Sequence, residues 1–176
     1  MSLLRDKYGV IVIVAVISLV LDQVSKAVII ALFPQGGNLP LIPGLCELIH
    51  VHNRAAAFGF FDGAKVIFFV AMSTLAVGFV VFYFLRLRRD DLWTAAALAL
   101  ILGGALGNNI IDRVRHGFVI DFIRVYLGRW SWPTFNFADI FIVSGVAMFA
   151  IDMIRSERQA RAQRQNQEGS RASGHP

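Results

Sequence analysis

Residues Phe118 to Val143 read FVIDFIRVYLGRWSWPTFNFADIFIV and place two aspartates in an otherwise apolar and aromatic setting. Asp121 stands between Ile120 and Phe122. Asp139 follows Phe137 and Ala138 and opens the run IFIVSGVAMFAI. That run continues to Ile154 and approaches the length that crosses a bilayer as a helix, about 20 residues. A carboxylate at the edge of such a helix is costly unless something pairs with it, or unless the two carboxyls work together.

The rest of the chain agrees with a membrane setting. Of 176 residues, 56% are hydrophobic and only 16% charged, fifteen are Phe, and the mean hydropathy is +0.61, beyond the usual soluble range. Four apolar runs stand out, Tyr8–Phe33, Ala64–Leu85, Leu92–Ile111 and Ala138–Ile154. Lipid offers backbone groups no partner, so these runs must be helices. The expected fold class is an all-α membrane protein with four transmembrane helices and a small β or amphipathic-helix portion at the outer interface. Residues 1–156 form its one domain. The first run carries Asp22 and Lys26, is too long for a signal-peptide core and is followed by no small-residue cleavage site, so a retained span is expected. The polar tail, residues 157–176, is rich in Gln, Arg, Ser and Gly and is expected to be disordered.

The net charge of +5 suggests nucleic acid only until its residues are placed. Arg5, Lys7, Arg86, Arg88, Arg89 and the tail arginines flank the runs on one side. The other side holds Arg54, Lys65, Arg113, Arg115, Arg124 and Arg129, diluted by Glu47, Asp62, Asp112 and Asp121. That asymmetry puts both termini in the cytoplasm and leaves no nucleic-acid partner. Two longer segments then lie outside. In the first, CELIHVH alternates as a short strand; in the second, apolar strings are broken by Gly128 and Pro133. The tryptophans and tyrosines fall near run ends or in this second segment, as expected of an interfacial belt.

Several side chains are candidates for chemistry. Asp22 and Lys26 stand at i and i+4 on one helix face, the spacing of an ion pair. Asp112 and Arg113 end the third run. Arg124 lies three residues from Asp121, whereas no basic residue lies at helical spacing from Asp139. If folding joins Asp121 and Asp139, both cannot easily ionise, and one proton is shared. Such a dyad activates water with one carboxylate and polarises a carbonyl with the other, giving peptide hydrolysis without a covalent intermediate. Membrane carboxylates also relay ions, so a small transporter or channel component using Asp22, Lys26 and Asp112 stays open, as does a noncatalytic scaffold. His50 and His52, with His116, are expected to be interfacial histidines without a metal. The lone cysteine, Cys46, reads as a small buried hydrophobe. Neither a serine-nucleophile elbow nor a phosphate-binding glycine loop is present.

The strings DQVSK (from Asp22), HNRAAAFGFF, GGALGNNIIDR, GFVIDFI and FNFADIFI, in that order, resemble the bacterial lipoprotein signal peptidases, the type II signal peptidases. The resemblance covers nearly everything before the tail. It implies a four-helix aspartic protease of the inner membrane, working at the extracytoplasmic face without metal or cofactor, and expected to be a monomer. Its substrates would be prolipoproteins carrying diacylglycerol, cut N-terminal to the lipidated cysteine. Its other partners would be membrane lipid and a cyclic peptide inhibitor of the globomycin type. The catalytic aspartates fall by resemblance on Asp121 and Asp139, and the supporting residues on Asp22, Lys26, Asn53, Asp112, Arg113, Asn136 and Ala138.

Two positions depart from the family pattern. Ala55 stands where N-x-G-A-A-F has glycine. The string Gly107–Arg113 holds one residue more than G-N-x-x-D-R. Asn109 keeps the three-residue spacing to Asp112, whereas Asn108 keeps the glycine neighbour; the helical spacing favours Asn109 as the supporting asparagine, and a π-bulge could absorb the extra residue.

Overall fold

The computed structural model describes residues 6–54 and 64–173; Ala55 lies outside them. Helices fill all four apolar runs. These are α1 (Lys7–Leu32), α2 (Ala64–Arg86), α3 (Leu92–Ala105) and the helix that starts at Phe137. From α3 the chain runs through a π-helical segment, Leu106–Asp112, into a last α-helical turn, α4 (Arg113–His116). Among the described residues three helices are long and apolar enough to cross a membrane, Lys7–Leu32, Leu92–His116 and Phe137–Gln167. In α2 the stretch Val77–Arg86 is a shorter apolar helix.

Asp6 caps α1 by accepting from Gly9 N at 2.9 Å, and Asp91 caps α3 by accepting from Thr94 N at 3.0 Å. α1 is turned inside out relative to a helix of a soluble protein. Ser18, Asp22 and Lys26, at successive i+4 positions, are buried, whereas Val12, Val16, Val20, Val24 and Val28 on the opposite face are exposed. α3 packs against both α1 and the helix that starts at Phe137 through small residues, with Ala95, Ala97, Ala99 and Ala105 fully or nearly fully buried. Without a hydrophobic drive between helices in lipid, such close approach supplies the packing.

Gly107 shows how tight the approach is. A Cβ there would lie 2.5 Å from Asp22 Oδ2. Gly107→Ala must push α1 away from the carboxylate it faces and should cost about 1–3 kcal/mol, the usual cost of overpacking. Thermal unfolding in detergent measures this; an unchanged midpoint would mean that α1 can step aside.

At one end of the bundle lies an antiparallel sheet in the order β1-β2-β3-β4. Its strands are β1 (Asn38–Ile42), β2 (Cys46–Asn53), β3 (Val119–Leu127) and the two-residue β4 (Trp130–Ser131). Gly128, at φ +64°, opens the two-residue turn between β3 and β4, a conformation that favours glycine. The sheet carries exposed Leu39, Leu41, Ile42, Leu127 and Trp130, and Trp132 just beyond β4 is exposed as well. Between β2 and β3 the register shifts by one residue between Leu48 and Val51. Before the bulge Leu48 opposes Ile123; after it Val51 opposes Asp121 and Asn53 opposes Val119. Because side chains alternate with period two, the one-residue shift sets Asn53 and Asp121 on the same face as diagonal neighbours.

The tail differs from expectation. The last helix, α5, runs unbroken from Phe137 to Ser173, so the polar segment expected to be disordered is helical at least to Ser173. Arg, Gln, Glu and Ala are good helix formers, the membrane helix supplies the nucleus, and Glu157 pairs with Arg161 one turn on.

Candidate active site

The polar centre sits where the C-terminal ends of α1 and α3, the start of α5 and the sheet converge. The segment before α5 is pinned to β3. Phe135 N donates to Ile123 O at 3.0 Å, and Phe135 O accepts from the backbone N–H groups of Phe122 and Ile123 at 3.0 and 2.8 Å. The next residue, Asn136, is thereby delivered beside Asp121 and is fully buried.

Asn136 touches both aspartates. Its side-chain N–H donates to Asp121 Oδ1 at 2.7 Å. Its backbone N–H donates to Asp139 Oδ2 at 3.0 Å, and its side-chain oxygen accepts from Asp139 N at 3.1 Å. That reciprocal pair is a capping box, with Asn136 as N-cap and Asp139 as the third residue of α5. The remaining carboxyl oxygens are also engaged. Asn53 donates to Asp121 Oδ2 at 2.7 Å, and Asn108 donates to Asp139 Oδ1 at 2.8 Å. Asp121 is 2% exposed. Burial pushes its carboxyl up to about 7, against the amide of Asn53; the charge of Asp139 adds to the rise, and Asn136 and Lys26 oppose it.

Behind the aspartates lies a second layer. Lys26 Nζ is 2.8 Å from Asp22 Oδ2, 2.8 Å from Asp112 Oδ2 and 2.6 Å from Asn108 Oδ1. Asp22 Oδ1 accepts from Ala138 N at 3.0 Å and so ties α1 to the first turn of α5. Asp112 Oδ2 also accepts from Ile120 N at 3.3 Å, which fixes the backbone just before Asp121. Arg113 lies within electrostatic reach of Asp121 and Asp112. The spacing of Asp22 and Lys26 therefore does form an ion pair, and Asp112 makes it a triad.

One supporting residue differs from expectation. Asn108, not Asn109, enters the network, whereas Asn109 is half-buried and takes no part in it among the described residues. The π-helical segment Leu106–Asp112 is the reason. Its wider turn puts Asn108 and Asp112, four apart, on the face that Lys26 occupies, so three-residue α-helical spacing was the wrong measure. A π-helical segment does lie at the string that holds the extra residue.

Arg124 is not the partner of Asp121. On a strand, residues three apart face opposite sides, and Arg124 instead pairs with Glu47 at 3.1 Å. Gln23 was missed by sequence reasoning. Its amide donates to Asp112 Oδ1 at 2.9 Å and to Asp22 Oδ2 at 3.1 Å, bridging the two carboxylates that flank Lys26. Its neighbour Asp22 drew attention in DQVSK by its charge, while a neutral amide in an apolar run carries no comparable signal.

The histidines form a small cluster of their own. His50 Nδ1 is 2.9 Å from Phe33 O, an acceptor only, so it carries a proton and leaves Nε2 to accept from His52 Nε2 at 3.0 Å. Burial, then His50, Arg54 and His116, hold His52 below its ordinary value. Among the described residues no three or more His, Cys, Asp or Glu are arranged to hold a metal. Cys46 is half-buried on β2.

Comparison with known proteins fits this geometry. The family model described as Signal peptidase (SPase) II matches residues 14–155. The lipoprotein signal peptidase of Geobacter sulfurreducens is 44% identical over 158 residues, covering 89% of this chain and 98% of that protein. That of Syntrophus aciditrophicus is 41% identical over 145 residues, covering 80% and 89%. A solved structure described as a bacterial membrane enzyme, obtained by the in meso method, superposes with a TM-score of 0.76 at 32% identity, covering 82% of this chain and 92% of that one. The matched region contains both aspartates and the whole polar layer behind them, and the chain belongs to the signal peptidase II family.

Proposed function

We propose that the protein removes signal peptides from prolipoproteins and does so as an aspartic endopeptidase. The substrate class follows from the family and from relatives that are lipoprotein signal peptidases. The aspartic mechanism rests on one observation: Asn136 hydrogen-bonds to both Asp121 and Asp139 in a buried setting at the sheet end of the bundle. Two carboxyls so held provide a base for water and an acid for the scissile carbonyl. The substrates would be diacylglyceryl-modified chains cut on the N-terminal side of the lipidated cysteine. That bond lies where a signal helix meets its lipid anchor, a depth that suits carboxyls at the mouth of a membrane bundle. Phe122 and Phe137, edge to face with centroids 5.5 Å apart, supply apolar surface beside them.

The orientation follows from charge. Lys7, Arg86, Arg88 and Arg89 gather at the end opposite the sheet, where Lys7 Nζ donates to Phe84 O and Leu87 O at 2.8 and 2.6 Å. With that end cytoplasmic, both termini are inside, α2 completes a set of four spans in the inner membrane, and the aspartates face outward. A monomer contains the whole site. A cyclic peptide inhibitor of the globomycin type would block it by occupying the same mouth.

The test is direct. Purified protein in detergent, given a diacylglyceryl-modified prolipoprotein, should shorten it to the lipidated mature form on a gel. The same substrate without diacylglycerol should be cut far more slowly. An unshortened lipidated substrate would favour an ion relay through Asp22, Lys26 and Asp112.

A further inference from the structure

All four oxygens of the two carboxyls accept a hydrogen bond, but the donors differ in kind. Asp121 takes two side-chain amides, Asn136 and Asn53, each at 2.7 Å, from a position within β3. A sheet has only a small net dipole, so that strand adds little field of its own. Asp139 takes the amide of Asn108 and, through the capping box, the backbone N–H of Asn136. Its carboxyl therefore lies on the first turn of a helix of 37 residues, where N–H groups and peptide dipoles favour negative charge.

The other charged groups reach the centre from two elements. From α1 come Asp22 and Lys26, and from the end of α3 come Asp112 and Arg113. Lys26 is shared between Asp22 and Asp112, and Arg113 reaches Asp121 as well as Asp112. From the sheet, β2 contributes the neutral amide of Asn53 beside Asp121.

We propose that the two aspartates have fixed and different roles: Asp139, at the start of α5, ionises first and is the base, and Asp121, on β3, keeps the proton and is the acid. This rests on the aspartic reading above. In the first step Asp139 takes a proton from water, the water oxygen bonds to the scissile carbon, and the carbonyl oxygen receives the proton of Asp121. In the second step the carbon–nitrogen bond breaks and Asp139 passes its proton to the leaving amine. One hydroxyl of the intermediate returns its proton to Asp121 as the new carboxyl forms. One water is consumed and the dyad is restored.

The test has two arms on the full-length protein in detergent. The first follows the protonated-carboxyl stretching band by infrared spectroscopy as pH is raised. A band titrating near neutral pH should vanish in Asp121→Asn and survive in Asp139→Asn with a lower midpoint, since the like charge is gone. Loss in Asp139→Asn with survival in Asp121→Asn overturns the assignment, as does loss in both or survival in both. The second arm uses Asn53→Ala, which removes a donor that touches Asp121. Its loss raises Asp121 further, so the alkaline limb of the cleavage profile should move up by about one unit while the acid limb stays. Movement of the acid limb instead would make Asp121 the base. Failure of the aspartic reading is distinguishable, because both asparagine variants would then still cleave.

Discussion

Asp121→Asn and Asp139→Asn are each expected to cleave prolipoprotein roughly 10²–10⁴-fold more slowly than the parent protein, the range for loss of a general acid or base. Asparagine keeps the size of the side chain and an oxygen that can still accept a hydrogen bond, so the Asn136 anchor to β3 through Phe135 is retained. What disappears is the capacity to take or give a proton. Because the two carboxyls act on one water and one carbonyl, removing the second adds little, and the double variant should fall only slightly below the slower single variant. Substrate binding should persist, since burial of acyl chains does not depend on the carboxyls. The measurement is the initial rate for both single variants and the double, with thermal unfolding as a check on folding. A well-folded Asp139→Asn that retains more than about a tenth of the rate would contradict the dyad.

What could be read from sequence, and what could not, follows from the range of the interactions involved. The four apolar runs are local signals, and a helix occupies each of them, although the last continues well past the expected limit to Ser173. The strand CELIHVH was legible from its alternation and lies within β2. The bulge between Leu48 and Val51 was not, although it decides which face Asn53 presents, because the shift exists only relative to β3. Asp22 and Lys26 were legible as a pair because they are four apart on one helix. Asp112 joins them from a distant helix, and only packing reveals that their pair is a triad.

The choice between Asn108 and Asn109 failed for a related reason. Helical spacing assumes 3.6 residues per turn, and the π-helical segment Leu106–Asp112 departs from that number locally. The capping box was present in the string NFAD from the start, as asparagine followed three residues later by an aspartate. Charge drew attention to Asp139 as a reacting group, and its second task of starting α5 went unread. The helical tail was misjudged because composition alone does not register that a membrane helix precedes it and has already met the cost of nucleation.

Lys26→Met should have the largest effect on stability, about 3–5 kcal/mol, the usual consequence of removing one partner from a buried ionic group. Lys26 is 2% exposed and is the cation shared by Asp22 and Asp112, which are 0% and 1% exposed. Methionine fills a similar volume, so the loss is electrostatic rather than a cavity. Two carboxylates then remain close together, bridged by the amide of Gln23. They would have to take up protons or draw water into the bundle, and either change loosens the contacts they make with Ala138 N and Ile120 N. Asp22→Asn should be milder, because Lys26 keeps Asp112 and the new side-chain oxygen can still accept from Ala138 N. The decisive comparison adds Asp22→Asn and Asp112→Asn to Lys26→Met. With all three charges gone, the unfolding midpoint in detergent should recover part of the way, since a neutral polar centre carries no unpaired charge. A triple variant no more stable than Lys26→Met alone would mean that the lysine acts through packing, and the electrostatic account of the second layer would fall.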